Sequence, residues 1–151
     1  MSEIIMKPIG YVKTKRTETV DDNWGQYESI IELCPEYSES CFDGIEDFSH
    51  LEIIFYFHKS NKTFIGSEYP RENIKYPKIG IFAQRKKDRP NHIGATIVKL
   101  DKRIDNKIIV KNFDAINGTP VLDIKPVFIE YLPNEKIEQS EWSKDLMKNY
   151  W

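Results

Sequence analysis

The most constraining feature of the sequence is a short apolar run at residues 51–57, which reads LEIIFYF. Every residue in it except Glu52 is apolar, and most are β-branched or aromatic. A run of this length without helical spacing is typical of a strand that is buried on both faces. The run therefore predicts a strand in the centre of a sheet or a barrel.

Shorter runs of the same character occur on both sides of it, separated by segments rich in turn-forming residues. Two of them flank Asp105 and Asn106, a turn signal, and are predicted to pair as a hairpin. About seven short strands with little helix between them indicate a mainly β fold, either a barrel or a sandwich. The dinucleotide-binding motif GxGxxG does not occur. The predicted strands are residues 8–13, 27–33, 51–57, 79–83, 93–100, 107–113 and 121–128.

The predicted helices are few and short. Residues 35–42 have room for one or two helical turns. Trp142, Leu146 and Tyr150 recur at roughly helical spacing, which predicts an amphipathic helix over residues 141–151. The chain shows no internal repeat and no linker, so residues 1–151 are predicted to form a single domain.

Composition and charge narrow the classes of partner. The formal net charge is −2, so a nucleic-acid surface has to come from local clusters of Lys and Arg. Cys34 and Cys41 lack the spacing of a zinc site, so two free thiols and no metal are expected. Residues 1–10 lack the apolar core of a signal peptide, and no apolar run is long enough to span a membrane. We therefore expect a cytoplasmic protein with no membrane partner.

The first candidate site segment is residues 80–94, which reads GIFAQRKKDRPNHIG. A short apolar strand runs there into a loop with four cations. The guanidinium groups of Arg85 and Arg89 suit a carboxylate or a phosphate, because each presents paired N–H donors in one plane. Pro90 stiffens the loop, and Gly94 permits close approach of the backbone. A solvated charged hairpin loop is the alternative interpretation.

The second segment, residues 114–126, contains the tight turn Asn117-Gly118-Thr119-Pro120. Exposed N–H and C=O groups of such a turn are suited to the edge of a purine, which presents both a donor and an acceptor. A plain β-turn, in which the Asn-Gly pair supplies positive φ angles, is the alternative.

The third segment joins residues 44–51 to His58 and Lys59, where the apolar run gives way to polar sequence. A His at the end of a strand is suited to act as an acid, a base or a ligand contact. A structural, hydrogen-bonded His is the alternative.

In order and spacing, these segments resemble the TsaA-like family, also called TrmO, of S-adenosylmethionine-dependent tRNA adenosine N6-methyltransferases. The resemblance implies a compact closed β-barrel that works as a homodimer with cofactor sites near the subunit interface. It also implies S-adenosylmethionine as cofactor and tRNA as partner, with N6-methylation of threonylcarbamoyl-adenosine next to the anticodon. The motifs that carry it are PIGYVKT at residues 8–14, GIEDFSHL at 44–51, FH at 57–58, GIFAQRKKDRPNHIG at 80–94 and INGTPVLDIKP at 116–126.

By position, the resemblance places cofactor contacts after the first strand, at the end of the apolar strand, in the charged loop and in the Asn-Gly turn. His58 and His92 are the candidates for a general base by residue type, and the sequence does not choose between them. Asn117 stands where the family usually has Asp, which preserves the turn but removes a negative charge near a cationic cofactor. The implied contacts are Thr14, Lys15, Arg16, His58, Lys59, Arg85, Arg89, Asn91, Asn117, Gly118, Thr119 and Pro120.

Three functions stay open at this point: an RNA-base methyltransferase, a methyltransferase of a small molecule, and a non-catalytic module that binds the cofactor or RNA as a regulator. If the candidate loops share one rim of a barrel, their cations form a positive face that attracts phosphate. Charges scattered over the surface are the alternative. The cations are Lys13, Lys15, Arg16, Lys59, Lys62, Arg85, Lys86, Lys87 and Arg89.

Overall fold

The computed structural model of the protein describes residues 2–151. Its strands are β1 Gly10–Thr14, β2 Glu28–Leu33, β3 His50–Tyr56, β4 Ser67–Glu68, β5 Ile79–Gly80, β6 Ile93–Ile104, β7 Lys107–Lys111 and β8 Pro120–Pro126. Its α-helix, α1, is Glu141–Met147. Its 3-10 helices are Trp24–Gln26, Glu39–Phe42, Ile45–Asp47, Pro70–Glu72, Ile81–Ala83, Pro90–His92 and Ile129–Tyr131.

Six of the strands form a closed barrel in the order β1-β2-β7-β6-β3-β8, and each neighbouring pair is antiparallel. The barrel is closed by a short seam between β1 and β8, in which Gly10 pairs with Val121 and Tyr11 pairs with Pro120. The predicted mainly β fold is confirmed, and the barrel is the architecture that these strands adopt.

β3 pairs with β6 along one edge and with β8 along the other. Leu51, Ile53 and Phe55 are buried in the interior, as the alternation of side chains along a strand requires. Gly94 of β6 lies opposite Phe55, and a Cβ atom there would come within 2.5 Å of the Phe55 ring. A glycine is needed at this point because the aromatic ring fills the space of a side chain. The predicted strand is present and pairs at both edges, but only its inner face is fully buried, since Tyr56 on the outer face is 38% exposed.

The predicted strand at residues 79–83 does not join the barrel. Only Ile79–Gly80 is extended, and it pairs with β4 in a separate two-stranded sheet. The chain then turns, because the Gln84 amide donates to the Ile81 carbonyl and the Gln84 side chain donates to the Ile79 carbonyl. The seam between β1 and β8 leaves the barrel without a free edge for another strand. The barrel therefore has six strands where about seven were predicted.

The antiparallel strands of the barrel end at two rims. β6 and β7 form the predicted hairpin across Asp105 and Asn106. The loops that hold the candidate cofactor contacts start from the same rim, since the carboxyl ends of β1 and β3 lie beside the amino ends of β6 and β8. Residues 44–49 of the third candidate segment precede β3 and lie at the opposite rim, away from His58. We call the rim with loops 15–27, 57–92 and 112–119 the upper rim, and the rim with segments 34–49, 105–106 and 127–140 the lower rim.

α1 is attached to an upper-rim loop. The Tyr76 hydroxyl donates to Asp145 Oδ2 at 2.6 Å, and the centroid of the Tyr76 ring lies 6.3 Å from that of Trp142. The predicted terminal helix is confirmed, although it ends at Met147 rather than at residue 151. Of the helices in residues 2–151, none has the length and apolar character needed to cross a membrane.

Candidate functional site

The end of β1 and the Asn117 turn lie side by side at the upper rim. The Thr14 amide donates to the Asn117 side-chain oxygen at 3.2 Å, and the Asn117 amide donates to the Arg16 carbonyl at 2.8 Å. The Gly118 amide also donates to the Val12 carbonyl at 2.8 Å. These bonds bring together two of the predicted cofactor segments. Because the acceptor at position 117 is an oxygen, Asn does here what an Asp carboxylate would also do.

The four residues of the turn differ in what they expose. Gly118 has a φ of 83°, a left-handed conformation that glycine adopts without strain. Thr119 is buried, and its hydroxyl donates to the Ile116 carbonyl at 2.8 Å. Pro120 begins β8 and is half-buried. Asn117 and Gly118 are exposed, so they are the turn residues most open to a ligand.

His58 follows β3 and lies next to the turn. A Cβ atom on Gly118 would be 3.8 Å from His58 Nε2. Burial, and secondly the charge of Lys59, lower the pKa of the His58 ring below its ordinary value of 6.5. The rings of His50 and His92 are held by hydrogen bonds, whereas that of His58 has none within residues 2–151. A neutral, unbonded imidazole is able to accept a proton near pH 7.

His92, the other candidate base, is engaged in the structure of its loop. Its Nε2 lies 2.9 Å from the Lys62 carbonyl and 3.2 Å from the Thr63 hydroxyl. A carbonyl only accepts hydrogen bonds, so Nε2 carries the proton and donates it. The backbone carbonyl of His92 accepts from the Phe57 amide at 2.9 Å. The structure thus leaves His58 as the free imidazole of the two.

The Arg89-Pro90-Asn91 bend lies on the other side of β3 from the Asn117 turn. β6 starts after the bend and β8 starts within the turn, and the two strands pair with opposite edges of β3. The Arg89 guanidinium donates to the Gln84 carbonyl at 2.7 Å, which closes the charged loop on itself. The Ser60 hydroxyl donates to Asp88 at 2.6 Å and joins the bend to the segment after His58. The bend and the turn therefore flank His58.

Arg85 lies near a pair of residues that the sequence patterns did not connect. Its guanidinium donates to the Ala95 carbonyl at 2.6 Å, and the residue is exposed. Close by, the Tyr150 hydroxyl donates to Asp114. Burial, and then the charge of Asp114, raise the pKa of Tyr150, while the positive charge of Arg85 opposes the rise. No local pattern indicates this contact, because Tyr150 and Asp114 are 36 residues apart.

Arg16 is turned into its own loop. Its buried guanidinium donates to the carbonyls of Val20, Asp22 and Asn23 at 2.8–2.9 Å and lies 3.7 Å from the centre of the Trp24 ring. Its Nε is buried without a hydrogen-bond partner. The charge of Arg16 therefore shapes the loop, and one unsatisfied donor is left in a residue that lines a cavity of about 300 Å³.

The cations of the upper rim differ in their pairing. Lys86 and Lys87 form ion pairs with neighbouring carboxylates. Within residues 2–151, Lys15, Lys59 and Lys62 form none. The lower-rim segment 34–49, by contrast, contains five acidic residues and no Lys or Arg. The net charge of −2 thus conceals a separation of charge between the two rims.

Residues 16–132 match the family described as the tRNA-methyltransferase O N-terminal domain. A probable S-adenosyl-L-methionine-binding protein of Pyrococcus abyssi is 34% identical, over 96% of this chain and 79% of that protein. The tRNA (adenine(37)-N6)-methyltransferase of Homo sapiens is 41% identical over 64% of this chain. The match with the human protein covers 21% of its length, so this chain corresponds to a small part of it.

The fold is shared with a solved structure. A crystal structure of TrmO from Pseudomonas aeruginosa matches with a TM-score of 0.76 at 24% sequence identity, over 94% of this chain and 62% of that one. The family match spans most of the chain and includes nearly all of the three upper-rim loops. The closed barrel, the ordered motifs and the archaeal relative agree with it, and the chain therefore belongs to the TrmO family through its tRNA-methyltransferase O N-terminal domain.

Proposed function

We propose that this protein transfers a methyl group from S-adenosylmethionine to N6 of an adenosine next to the anticodon of tRNA. The observation that carries the proposal is the convergence of the Asn117 turn, the free His58 ring and the Arg-Pro-Asn bend at one rim of the barrel. The similarity to the human tRNA (adenine(37)-N6)-methyltransferase and to the archaeal S-adenosyl-L-methionine-binding protein supports it. We further propose threonylcarbamoyl-adenosine as the nucleoside and a homodimer, with the cofactor site near the subunit interface, as the working assembly.

The upper rim fits the chemical groups of S-adenosylmethionine. Exposed Arg85 and the unpaired Lys59 are cations for the methionine carboxylate. The exposed backbone at Asn117 and Gly118 is open to a purine edge. The buried Nε of Arg16 is a donor without a partner, and buried donors of this kind are normally satisfied by an acceptor.

The chain itself has to place the adenosine and remove one proton. When bound, S-adenosylmethionine supplies a methyl group activated by a positively charged sulfur. As the new N–C bond forms, the bond from the methyl group to sulfur breaks and leaves a neutral thioether. The N6 nitrogen loses one N–H proton in the same reaction, so the site needs a proton acceptor. We assign this role to Nε2 of His58, because the ring is neutral at pH 7, has no competing hydrogen bond and lies beside the turn. We assign His92 to holding the bend, since its Nε2–H is already bound.

The tRNA is held mainly by charge. Lys59 and Lys62 lie in the same upper-rim loop as His58 and are not neutralised by carboxylates of the described chain. Contacts of this kind release counterions from RNA, so binding weakens as salt rises. The threonylcarbamoyl group adds a carboxylate to the nucleoside, and a positive rim favours that form over unmodified adenosine.

The test combines purified protein, labelled S-adenosylmethionine and two tRNA preparations. One preparation comes from cells that make threonylcarbamoyl-adenosine and the other from cells that do not. We expect label in an N6-methylated nucleoside of the first preparation only, measured by mass spectrometry of the digested tRNA. Label in both preparations would retain tRNA methylation and overturn the threonylcarbamoyl substrate.

Two other results would change the proposed function. Cofactor binding with transfer to a component of a metabolite extract, and none to tRNA, would identify a small-molecule methyltransferase. Cofactor binding with no transfer at all would identify a regulator. Sedimentation of the same protein tests the assembly, and a monomer at the assay concentration would overturn the homodimer.

A further inference from the structure

The last residues of the chain lie across an upper-rim loop. Two consecutive amides of this loop, those of Asn23 and Trp24, donate to the carbonyls of Asn149 and Tyr150 at 3.0 and 2.8 Å. We call residues 149–151 the tail strap. Its backbone is therefore bonded to the loop in the manner of a short ladder, rather than lying free in solvent.

The part of the loop under the tail strap is the part that holds Arg16. The Asn23 carbonyl accepts from the Arg16 guanidinium, and the Trp24 ring stacks on it. The contact continues one residue further, because a Cβ atom on Gly25 would lie 2.9 Å from the carbonyl carbon of Trp151. The Arg16 carbonyl in turn accepts from the amide of the Asn117 turn. The strap thus contacts the loop that holds Arg16, and the backbone of Arg16 bonds to the Asn117 turn.

Tyr150 also fastens the strap to a second loop. Its hydroxyl donates to one oxygen of Asp114, and the Thr96 hydroxyl donates to the other. Asp114 lies three residues before Asn117 in the upper-rim loop 112–119. Burial raises the pKa of Tyr150, and the charge of Asp114 adds to the rise, so the phenol keeps its proton and stays a donor throughout the neutral range.

We infer that Tyr150 is a positioning residue for methyl transfer, which acts through Asp114 and through the backbone of the strap to hold the loops of Arg16 and Asn117 in their cofactor-binding arrangement. The inference rests on the proposed function, because that function assigns cofactor binding to these loops. A strap that serves stability alone is the alternative. The two alternatives predict different effects on cofactor affinity. A positioning strap and the bound cofactor stabilise the same arrangement of the loops, so weakening the strap also weakens cofactor binding. A strap that serves stability alone leaves the cofactor affinity unchanged.

The test is calorimetric titration of S-adenosylmethionine into the wild-type protein, Tyr150→Phe and Tyr76→Phe. Tyr76 is the matched control, because its hydroxyl also donates to a carboxylate, that of Asp145, which belongs to α1 and not to the loops of Arg16 and Asn117. We expect Tyr150→Phe to weaken binding on the order of tenfold, the effect of losing one hydrogen bond to a charged acceptor. We expect Tyr76→Phe to leave the affinity unchanged.

The outcomes separate this inference from the proposed function. Wild-type affinity in Tyr150→Phe overturns the inference, whereas a wild-type protein that binds no cofactor overturns the proposed function. If Tyr150→Phe does not fold, Gly25→Ala takes its place, because the added Cβ pushes on Trp151 and leaves Tyr150 and Asp114 intact. The same loss of affinity is expected there, and unchanged affinity again overturns the inference.

Hydrogen exchange gives an independent measurement on the wild-type protein. Bound S-adenosylmethionine should slow exchange at the amides of Asn23 and Trp24, the two that donate to the strap. Unchanged exchange at both amides, in a sample shown by calorimetry to bind the cofactor, would mean that the strap and the site are not coupled.

Discussion

The two rims of the barrel are built from the same strands but differ in backbone strain. Among residues 2–151, seven non-glycine residues have a positive φ, and six of them lie in upper-rim loops. The seventh, Asp105, lies in the two-residue hairpin turn of the lower rim, where such turns require it. Strained conformations cost roughly 1–3 kcal/mol each and collect at functional sites. The six are Asn23, Arg71, Glu72, Asn91, His92 and Asn112.

The rims also differ in charge and in surface chemistry. The upper rim carries the unpaired lysines, whereas the lower rim carries the acidic segment 34–49 and a stack of Phe48 on Phe128 with ring centroids 5.6 Å apart. A polyanion is attracted to one end of such a barrel and repelled from the other. Each upper-rim residue of interest has a chemical counterpart on the lower rim, and these pairs provide matched tests.

We expect the largest difference between the rims when a histidine is replaced. We expect His58→Gln to lower kcat about 10²–10⁴-fold, the usual contribution of a general base. His50→Gln should retain the wild-type kcat, because the His50 ring lies at the lower rim and is hydrogen-bonded to the Ser49 hydroxyl at 2.7 Å. Methylation of tRNA at saturating substrate measures both.

The pH dependence of the same reaction sharpens this prediction. Because the pKa of His58 is lowered from 6.5, kcat should rise with pH, and the midpoint of the rise should lie below that value. The rise should be absent in His58→Gln. A wild-type midpoint above pH 6.5, or full kcat in the variant, would remove His58 from the role of base.

We expect the next largest difference when an arginine that holds a loop is replaced. Arg16→Lys removes the guanidinium group that donates hydrogen bonds to three backbone carbonyls. We therefore expect a loss of about 1.5–3 kcal/mol of stability and at least tenfold weaker cofactor binding. Arg103→Lys removes the lower-rim counterpart, which bonds to the Glu39 carbonyl and Asp43. It should cost about 1 kcal/mol or less and leave cofactor affinity intact. Urea denaturation and calorimetry measure the two effects, and equal cofactor affinities in both variants would contradict the difference between the rims.

Two of the three glycines with a positive φ give a smaller contrast. Gly118 and Gly44 have φ angles of 83° and 82°, so alanine at either position should cost roughly 1–2 kcal/mol of stability. Only Gly118→Ala places a methyl group beside His58, and we expect kcat/KM for tRNA to fall on the order of tenfold there. Gly44→Ala should retain kcat/KM once the loss of folded protein is corrected for. Equal activities in the two variants would show that the turn does not contact the substrate.

The lysines give the smallest effect. Lys59→Gln and Lys62→Gln should each reduce the slope of log affinity for tRNA against log salt by about one. Lys136→Gln, in the lower-rim segment, should leave the slope unchanged. Filter binding over a series of salt concentrations measures it. A lower-rim variant with the larger effect would place the RNA at the other end of the barrel.

The strands of the barrel could be predicted wherever their signal is local. The apolar composition of residues 51–57 predicts a strand, and the turn residues Asp105 and Asn106 predict the hairpin between the segments that flank them. Residues 79–83 have an equally apolar composition and were wrongly added to the barrel, because composition does not tell whether a free sheet edge is available. That depends on the pairing of β1 with β8, which brings distant parts of the chain together.

The site could be predicted as a set of residues but not as an arrangement. His58 and Gly118 were both candidates, yet their proximity depends on β3 pairing with β8. Arg16 was interpreted as a cofactor contact, and the loop carbonyls that surround its guanidinium have no side-chain signature in the sequence. Tyr150 and Asp114 were missed as a pair, since nothing in either segment indicates the other.

The seam between β1 and β8 is held in two different ways along its length. Its ladder spans two residue pairs, whereas β3 and β6 are joined over seven. Beyond the ladder, the end of β1 is bonded to the Asn117 turn, and the bond from the Thr14 amide to the Asn117 side chain is exposed to solvent. Exposed bonds of a loop open at lower free energy than those of a buried wall, so warming should separate the turn from β1 while the apolar interior stays intact. We therefore expect S-adenosylmethionine binding to weaken at temperatures at which circular dichroism still reports a folded barrel.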